Sequence, residues 1–404
     1  MLPKEVLSYD VAIIGAGIMG LAVARSLKNI NESLSIVVVE KEEQIGLHAS
    51  GRNSGVLHAG FYYSPESLKA RFCRDGNAEM KKLAERHNVK IEHVGKVVVA
   101  KSDEELLRLE SLYNRGLTNG VELQLHDESK LDKYEPLAKT HRKFLWSPST
   151  AIVDKEGILN ALYNELKAQN VDFIFKQKLL GASNRVISTA EHKITYRHLI
   201  NTAGAGAISI AQEMGFGLNY LMIPFLGVYR GTKHSNLPLR SLVYPVPHPI
   251  NPFLGTHFTI TTDGQVKIGP TAQPLLFSEQ YSLNSGWNLH DFVNVPKALN
   301  KYFSNNFNNV CSLVISELPQ LFERGLLNKS AQLVPSARGI KSWERKPSGI
   351  RAQLLRKDTN ILEQDFVVDG DAESTHLLNV VSPGWTSSLP FADWVAKKHV
   401  IQHL

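Results

Sequence analysis

The sequence predicts an α/β protein in which a Rossmann-like βαβ domain is interrupted by a second, α+β domain with a mainly antiparallel sheet plus helices. Three stretches carry that prediction. Residues 9–40, YDVAIIGAGIMGLAVARSLKNINESLSIVVVE, read as strand, glycine turn, helix and strand. Residues 194–206 bring a strand that stops at small residues, far along the chain from the first unit. Residues 220–280 are dense in short β patterns.

The opening unit is the most explicit. Val11, Ile13 and Ile14 form the short apolar run of a strand buried on both faces. Gly15, Gly17 and Gly20 follow in G-x-G-x-x-G spacing, where helical periodicity begins. In that spacing the first glycine permits a tight turn and the second lets backbone approach a pyrophosphate. The third lets the helix pack closely on the strand. The helix start offers unpaired N–H groups and the positive end of a dipole to phosphates. Residues 36–39 make the second strand, and Glu40 ends it with a carboxylate able to accept both hydroxyls of an adenosine ribose. Glycine spacing alone can be a chance turn. Strand, glycines, helix, strand and terminal acid in that order specify a dinucleotide site.

A chain of 404 residues has room for two domains. Its composition is that of a soluble globular protein, and its formal charge of +6 includes no basic run of the kind that binds nucleic acid. The excess suits acidic ligands, an anionic membrane surface, or simply a solvated basic surface. Two cysteines, Cys73 and Cys311, without a CxxC pair, argue against a disulfide scaffold and a cysteine-ligated cluster. No HExxH or Cys/His cluster points to a metal. The first strand begins by residue 10, leaving no room for a cleavable leader, and no apolar run reaches membrane-spanning length. A cytoplasmic protein is expected, with peripheral attachment to the inner face of the cell membrane left open.

After Glu40 the chain is dense in small residues: Gly46, Ala49, Ser50, Gly51, Ser54, Gly55, Ala59 and Gly60. His48, Arg52, Asn53, His58, Tyr62 and Tyr63 are interleaved with them. A surface loop is one account of so much glycine, but Val56, Leu57 and Phe61 are unusual in a solvated loop. We read a buried, ligand-facing segment. Helical spacing follows at 67–88, a strand at 94–100 (VGKVVVA), and an amphipathic helix at 104–119 ending at Gly120. A helix is expected at 154–168 with Asp154 as N-cap, then a strand at 171–175. The strand at 194–200 runs into Asn201-Thr202-Ala203-Gly204-Ala205-Gly206. A nicotinamide dehydrogenase ordinarily completes its cofactor domain in one block, so this late return points to a flavin domain interrupted by a substrate domain. Strands are expected at 222–229, 242–245, 257–261 and 265–268, the last two joined at Asp263-Gly264. Helical character at 286–330, strands at 365–369 and 377–381, the segment 382–388 (SPGWTSS) and a terminal helix complete the chain. The expected division is 1–85, 150–215 and 335–404 for the cofactor domain, with 86–149 and 216–334 for the substrate domain.

The pieces GRNSGVLHAGFYY, SPESLKARFC, GKVVVA, YPVP and PFLGTHFT occur in order, followed by IGP at 268–270, GIRAQ at 349–353 and the SP and TSS of 382–388. Over most of its length the chain thereby resembles the FAD-dependent oxidoreductases of the D-amino-acid-oxidase and glycerol-3-phosphate-dehydrogenase type, and within them the L-2-hydroxyglutarate-oxidising branch. The resemblance implies FAD bound in extended form. Gly15, Gly17 and Gly20 would hold the pyrophosphate, and Glu40 the ribose with Lys41 beside it. Ser50, Arg52, Asn53, Ser54 and Gly55 would lie along the flavin, with Gly204 contributed by the returning strand. Ser382, Gly384, Thr386 and Ser387 would turn backbone N–H groups towards the pyrimidine end of the ring, where reduction places negative charge.

The implied chemistry is oxidation of a small 2-hydroxy acid by hydride transfer to flavin N5, with a neutral histidine accepting the hydroxyl proton. His58 and His257 are the candidates, His257 on the substrate side and His58 on the flavin side; a structural histidine bonded to backbone is the other reading of each. Arg351 leads as carboxylate anchor, because a guanidinium pairs with a carboxylate through two parallel hydrogen bonds. Tyr63, Lys69 and Arg52 would assist. Three departures bear on the substrate. The family has a basic residue after PFLGTHFT, where this chain has Ile260. It has two alanines at Gly384-Trp385, then small apolar residues in place of Pro390 and Trp394. Residues 201–217 follow it loosely. Another 2-hydroxy acid, an amino acid, or a flavin-binding protein without turnover are the alternatives, and no motif identifies the electron acceptor among oxygen, a quinone and an electron-transfer protein.

Overall fold

A computed structural model describes residues 5–248, 255–282, 285–305 and 318–404. Five parallel strands form the centre of one sheet, in the order Asp172–Ile174, Ile36–Val39, Glu5–Ile14, His192–Asn201 and Ser374–Leu378. Glu5–Ile14 is buried from Val11 onward, and all of Ile36–Val39 is buried, as apolar runs covered on both faces require. The chain leaves the first strand to one side through the helix Ile18–Ile30. It fills the other side only at His192–Asn201. That makes a topological switch point, the place where α/β sheets bind ligands beyond their strand ends.

Helices Ile18–Ile30, Lys155–Ala168 and Ser388–Val395 pack their apolar faces into one cluster that includes Leu21, Leu27, Leu162, Phe391 and Val395. The expected cap is present: Asp154 Oδ1 accepts from Glu156 N at 3.1 Å. Ser67 plays the same part for Leu68–Arg86, its Oγ accepting from Ala70 N at 3.1 Å.

The second large sheet has nine strands and is antiparallel except where Leu242–Pro245 runs parallel to Lys96–Val99. Its longest pairing joins Tyr220–Lys233 to Glu344–Arg356, from Gly231 opposite Glu344 to Tyr220 opposite Arg356. No strand was expected over GIRAQ, and the expected boundary put residues from 335 onward with the cofactor segments. Pro347, Gly349 and the charges of ERKPSGIR hide the period of two, and the register slips between Gly227 and Tyr229. A second difference lies near the C-terminus. The strands there are Val367–Gly370 and Ser374–Leu378, not 365–369 and 377–381. Asp365 is used otherwise, accepting the N–H groups of Leu68 and Lys69 at 2.7 and 3.0 Å, a carboxylate at a helix start. Of the helical stretch expected at 286–330, Leu289–Asn305 and Glu323–Ser330 are helices. Residues 306–317, with Cys311, and the first three residues of PFLGTHFT lie outside the described residues. Among the described residues no helix is long and apolar enough to cross a membrane.

Candidate active site

Beyond the ends of the parallel strands lies a cleft of about 760 Å³, walled on its far side by the nine-stranded sheet. Gly15 and Gly17, Glu40 and Lys41, and Gly204 line it from three successive strand ends. Gly15 has φ +102°, and a Cβ on Gly20 would stand 2.0 Å from Gly15 O, so helix and turn meet only as glycines. The Glu40 carboxylate reaches back across this turn. It accepts from Ala16 N at 2.7 Å and from Glu42 N at 2.9 Å, which fixes the glycine backbone in place.

The segment after Glu40 is folded on itself by its polar side chains. Ser50 Oγ accepts from Ile18 N at 2.9 Å, Asn53 Oδ1 from Gly55 N at 2.8 Å, and Arg52 Nε donates to Leu47 O at 2.8 Å. Ser50, Arg52, Asn53 and Ser54 line the cleft. Gly55 lies behind it, where a Cβ would meet Val153 O at 2.8 Å. Lys41 is engaged by Glu279 at 2.5 Å and the Arg52 guanidinium sits 4.2 Å from the Tyr281 ring centroid. Both contacts tie this segment to residues 275–282.

At the other end Ser382, Gly384, Trp385 and Thr386 line the cleft, with Ser387 buried behind them. The N–H groups of Gly384, Ser387 and Ser388 bond within the turn, to Val381, Pro383 and Trp385 carbonyls. Those of Trp385 and Thr386 take no partner among the described residues. Thr386 Oγ1 joins this segment to the histidine, accepting from His58 N at 3.2 Å and donating to Val56 O at 3.3 Å.

His58 and Arg351 share this end of the cleft with Phe225 and Tyr229. The pairing of Arg351 with Phe225 places it there. Burial, followed by the charges of Lys96, His257 and Arg351, holds His58 well below the usual imidazole range, and its Nδ1 is buried without a partner among the described residues. His257, Tyr63 and Lys69 are set beside the cleft rather than on its lining. His257 Nδ1 lies 2.8 Å from Gly255 O and must donate to it, which leaves the lone pair on Nε2. Burial carries its pKa down to about 3. Burial raises Tyr63 well above 10, with Ser382 and Arg351 acting the other way. Lys69 is pushed down to about 8 by burial, against the pull of Asp365. Arg351 acts on His58, His257 and Lys69, so the expected substrate residues form one electrostatic group.

Sequence reasoning missed Tyr229, Tyr244, Gly76 and Lys96. Tyr244 stacks on His257 with ring centroids 3.8 Å apart. Lys96 is buried among Phe61, Tyr62 and Tyr244. The one signal for it was a charge inside the apolar run of VGKVVVA. The Ile260 departure is placed harmlessly: strand alternation turns Ile260 to the face opposite His257, where it packs with Phe258, Val266 and Ile268.

A glycine turn at a switch point, a cleft shared with a largely antiparallel sheet, and a histidine beside the C-terminal helix start define a two-sheet flavin oxidoreductase. The chain belongs to the FAD-dependent oxidoreductases, whose family description matches residues 10–398. It is 34% identical to the mitochondrial L-2-hydroxyglutarate dehydrogenase of Nematostella vectensis, covering 96% of this chain and 90% of that protein. The human mitochondrial protein of that name is 32% identical over 96% and 88%, and the L-2-hydroxyglutarate dehydrogenase of Salmonella houtenae 31% over 96% and 93%. Among solved structures, L-α-glycerophosphate oxidase of Mycoplasma pneumoniae with FAD bound superposes with a TM-score of 0.74 at 20% identity, covering 96% and 94%. Glycine oxidase of Geobacillus kaustophilus gives 0.71 at 18%, covering 97% and 94%. The expected resemblance, fold class and cofactor are borne out. The residues also fit FAD on their own terms: the glycine turn and Glu40 stand at one end of the cleft, and the unpaired N–H groups of Trp385 and Thr386 at the other.

Proposed function

We propose that this protein oxidises L-2-hydroxyglutarate to 2-oxoglutarate, with the parallel sheet as its FAD unit and the nine-stranded sheet as its substrate unit. The observation that carries the reading is the grouping of Arg351 and His58 at one end of the cleft with His257 and Lys69 beside them, in a chain similar over 96% of its length to L-2-hydroxyglutarate dehydrogenases. Gly15, Gly17, Gly20 and Glu40 hold the dinucleotide end, with Lys41 and Gly204 beside them. Ser50, Arg52, Asn53, Ser54 and Gly55 support the ring, and Ser382, Gly384, Thr386 and Ser387 its pyrimidine edge. When bound, FAD supplies the two-electron acceptor for the substrate C2 hydride.

Arg351 takes the carboxylate adjacent to C2 by a two-point pairing, and Lys69 and Tyr63 offer further donors. His257 accepts the hydroxyl proton at Nε2, since Nδ1 is committed to Gly255. Burial keeps that imidazole unprotonated before substrate arrives. A dicarboxylate then brings two negative charges beside the site and raises the imidazole's affinity for the proton. As C2–H leaves with its electron pair, the O–H proton passes to His257 and the C2–O bond becomes a carbonyl. His58, His257 and Lys69 are buried, which keeps bulk water from the transfer.

Anaerobic mixing of the flavin-loaded protein with L-2-hydroxyglutarate is expected to bleach the visible flavin band, and the D acid is not. Bleaching by an amino acid with none by any 2-hydroxy acid would replace this reading.

A further inference from the structure

Lys96 has no exposed surface, and its Nζ has no hydrogen-bond partner among the described residues. An ammonium without an acceptor is costly to bury, and an apolar residue would pack into this strand without that cost. What surrounds it is aromatic. Its Nζ lies 4.2 Å from the Tyr244 ring centroid, 5.1 Å from that of Tyr62 and 5.4 Å from that of Phe61. Ring faces favour a cation, opposing the burial that draws the ammonium down to about 7.

The register shows what Lys96 stands behind. Lys96 pairs with Leu242, and Val98 with Tyr244, so Lys96 and Tyr244 share one face of the sheet. On the other flank Val243 pairs with Phe258, which sets Tyr244 beside His257. The strand Leu242–Pro245 lies between those of Lys96 and His257, and its tyrosine contacts both, stacking on the imidazole at 3.8 Å. The charges that act on the histidines, Lys96 and Arg351 on both and His257 on His58, are cationic. Facing Lys96 from the helix Leu68–Arg86 is the buried Cys73 thiol, and the Tyr244 and Tyr62 rings flank it, their phenols held protonated by burial. Tyr229 and Tyr63 act on Arg351, which in turn acts on Lys69.

We propose that Lys96 is a positioning residue for the oxidation: an ammonium that holds the Tyr244 ring against His257 and sets a fixed positive charge behind the imidazole that takes the substrate's proton. It touches neither substrate nor cofactor. It works by charge through the Tyr244 stack, and it rests on the proposed reading only in assigning a use to the neutral histidines.

The test reads the histidines directly. Flavin-loaded protein labelled with ¹³C at histidine Cε1 is titrated by NMR as wild type, Lys96→Met and Lys96→Arg. Loss of the charge is expected to raise the titration of His257 and His58 by about 1 pH unit, while Lys96→Arg titrates like wild type. Lys96→Gln serves the same purpose should the methionine variant fold poorly. Histidine titrations unchanged in a folded, flavin-loaded neutral variant overturn the proposal. His257→Asn separates the two ideas: if it still reduces its flavin at the wild-type rate, the base assignment falls, while the Lys96 titration shift is read independently of turnover.

Discussion

Arg351 is where substrate affinity and cofactor affinity come apart. It sits on a strand of the nine-stranded sheet, lines the cleft near His58, and is far in sequence from the glycine turn that holds the dinucleotide end. A hydrogen bond to a charged group is worth about 1.5–3 kcal/mol, so Arg351→Ala is expected to weaken L-2-hydroxyglutarate binding about 10–100-fold. The flavin should remain bound, because Glu40, Ser50 and the turn are untouched. Rapid-reaction reduction at varied substrate concentration measures the first quantity, and flavin content after gel filtration the second. Equal loss of both would make Arg351 a structural residue. Arg351→Lys keeps the charge but not the paired donors, and belongs between the two.

At the scale of elements, the segment 382–388 depends on a glycine in a different helix. Gly76 lies inside Leu68–Arg86, and a Cβ there would meet Thr386 O at 2.1 Å and Ser387 Cα at 3.0 Å. Both neighbours are backbone, so Gly76→Ala must displace the segment, at an overpacking cost of about 1–3 kcal/mol. The displacement also strains the Thr386 bond to His58 N. The variant is expected to fold with a lowered melting temperature and to lose flavin on dilution faster than wild type. Flavin retention equal to wild type would detach this helix from the cofactor edge. Here the limits of legibility are physical. The βαβ unit could be read because its signals are local: a period of two, a glycine spacing, a period of 3.6, a terminal acid. The Asp154 cap and the Asp263-Gly264 turn were local as well. The strand Glu344–Arg356 was not, because its partner is Tyr220–Lys233 and its own alternation is broken by proline and glycine. The surroundings of Lys96 were hidden for the same reason, since Phe61, Tyr62 and Tyr244 come to it from two distant parts of the chain.

At the scale of the whole molecule, buried histidines set the response to acid. His198 and His376 are fully buried where His192–Asn201 meets Ser374–Leu378, His198 Nε2 lying 2.8 Å from Thr375 Oγ1 and His376 Nδ1 3.1 Å from Asn201 Nδ2. Burial carries both down to about 4 from an ordinary 6.5, and His257 to about 3. His58 moves the same way. The sign follows from linkage. In the unfolded chain these imidazoles bind protons below about pH 6.5, whereas in the folded chain they stay neutral until well below that. The unfolded state therefore holds more protons across that window. Stability is complete above it and falls as pH is lowered, by about 1.4 kcal/mol per pH unit for each histidine that gains a proton on unfolding. Urea unfolding midpoints of the flavin-saturated protein, taken from about pH 7 to about pH 5, are expected to drop steeply. His376→Gln removes one of these protons and should flatten the slope without abolishing it. A midpoint level across the window, or a slope that His376→Gln leaves unchanged, would mean the imidazoles between the two strands are already charged in the folded protein, and that Asp369 and Asp371 nearby pair with them.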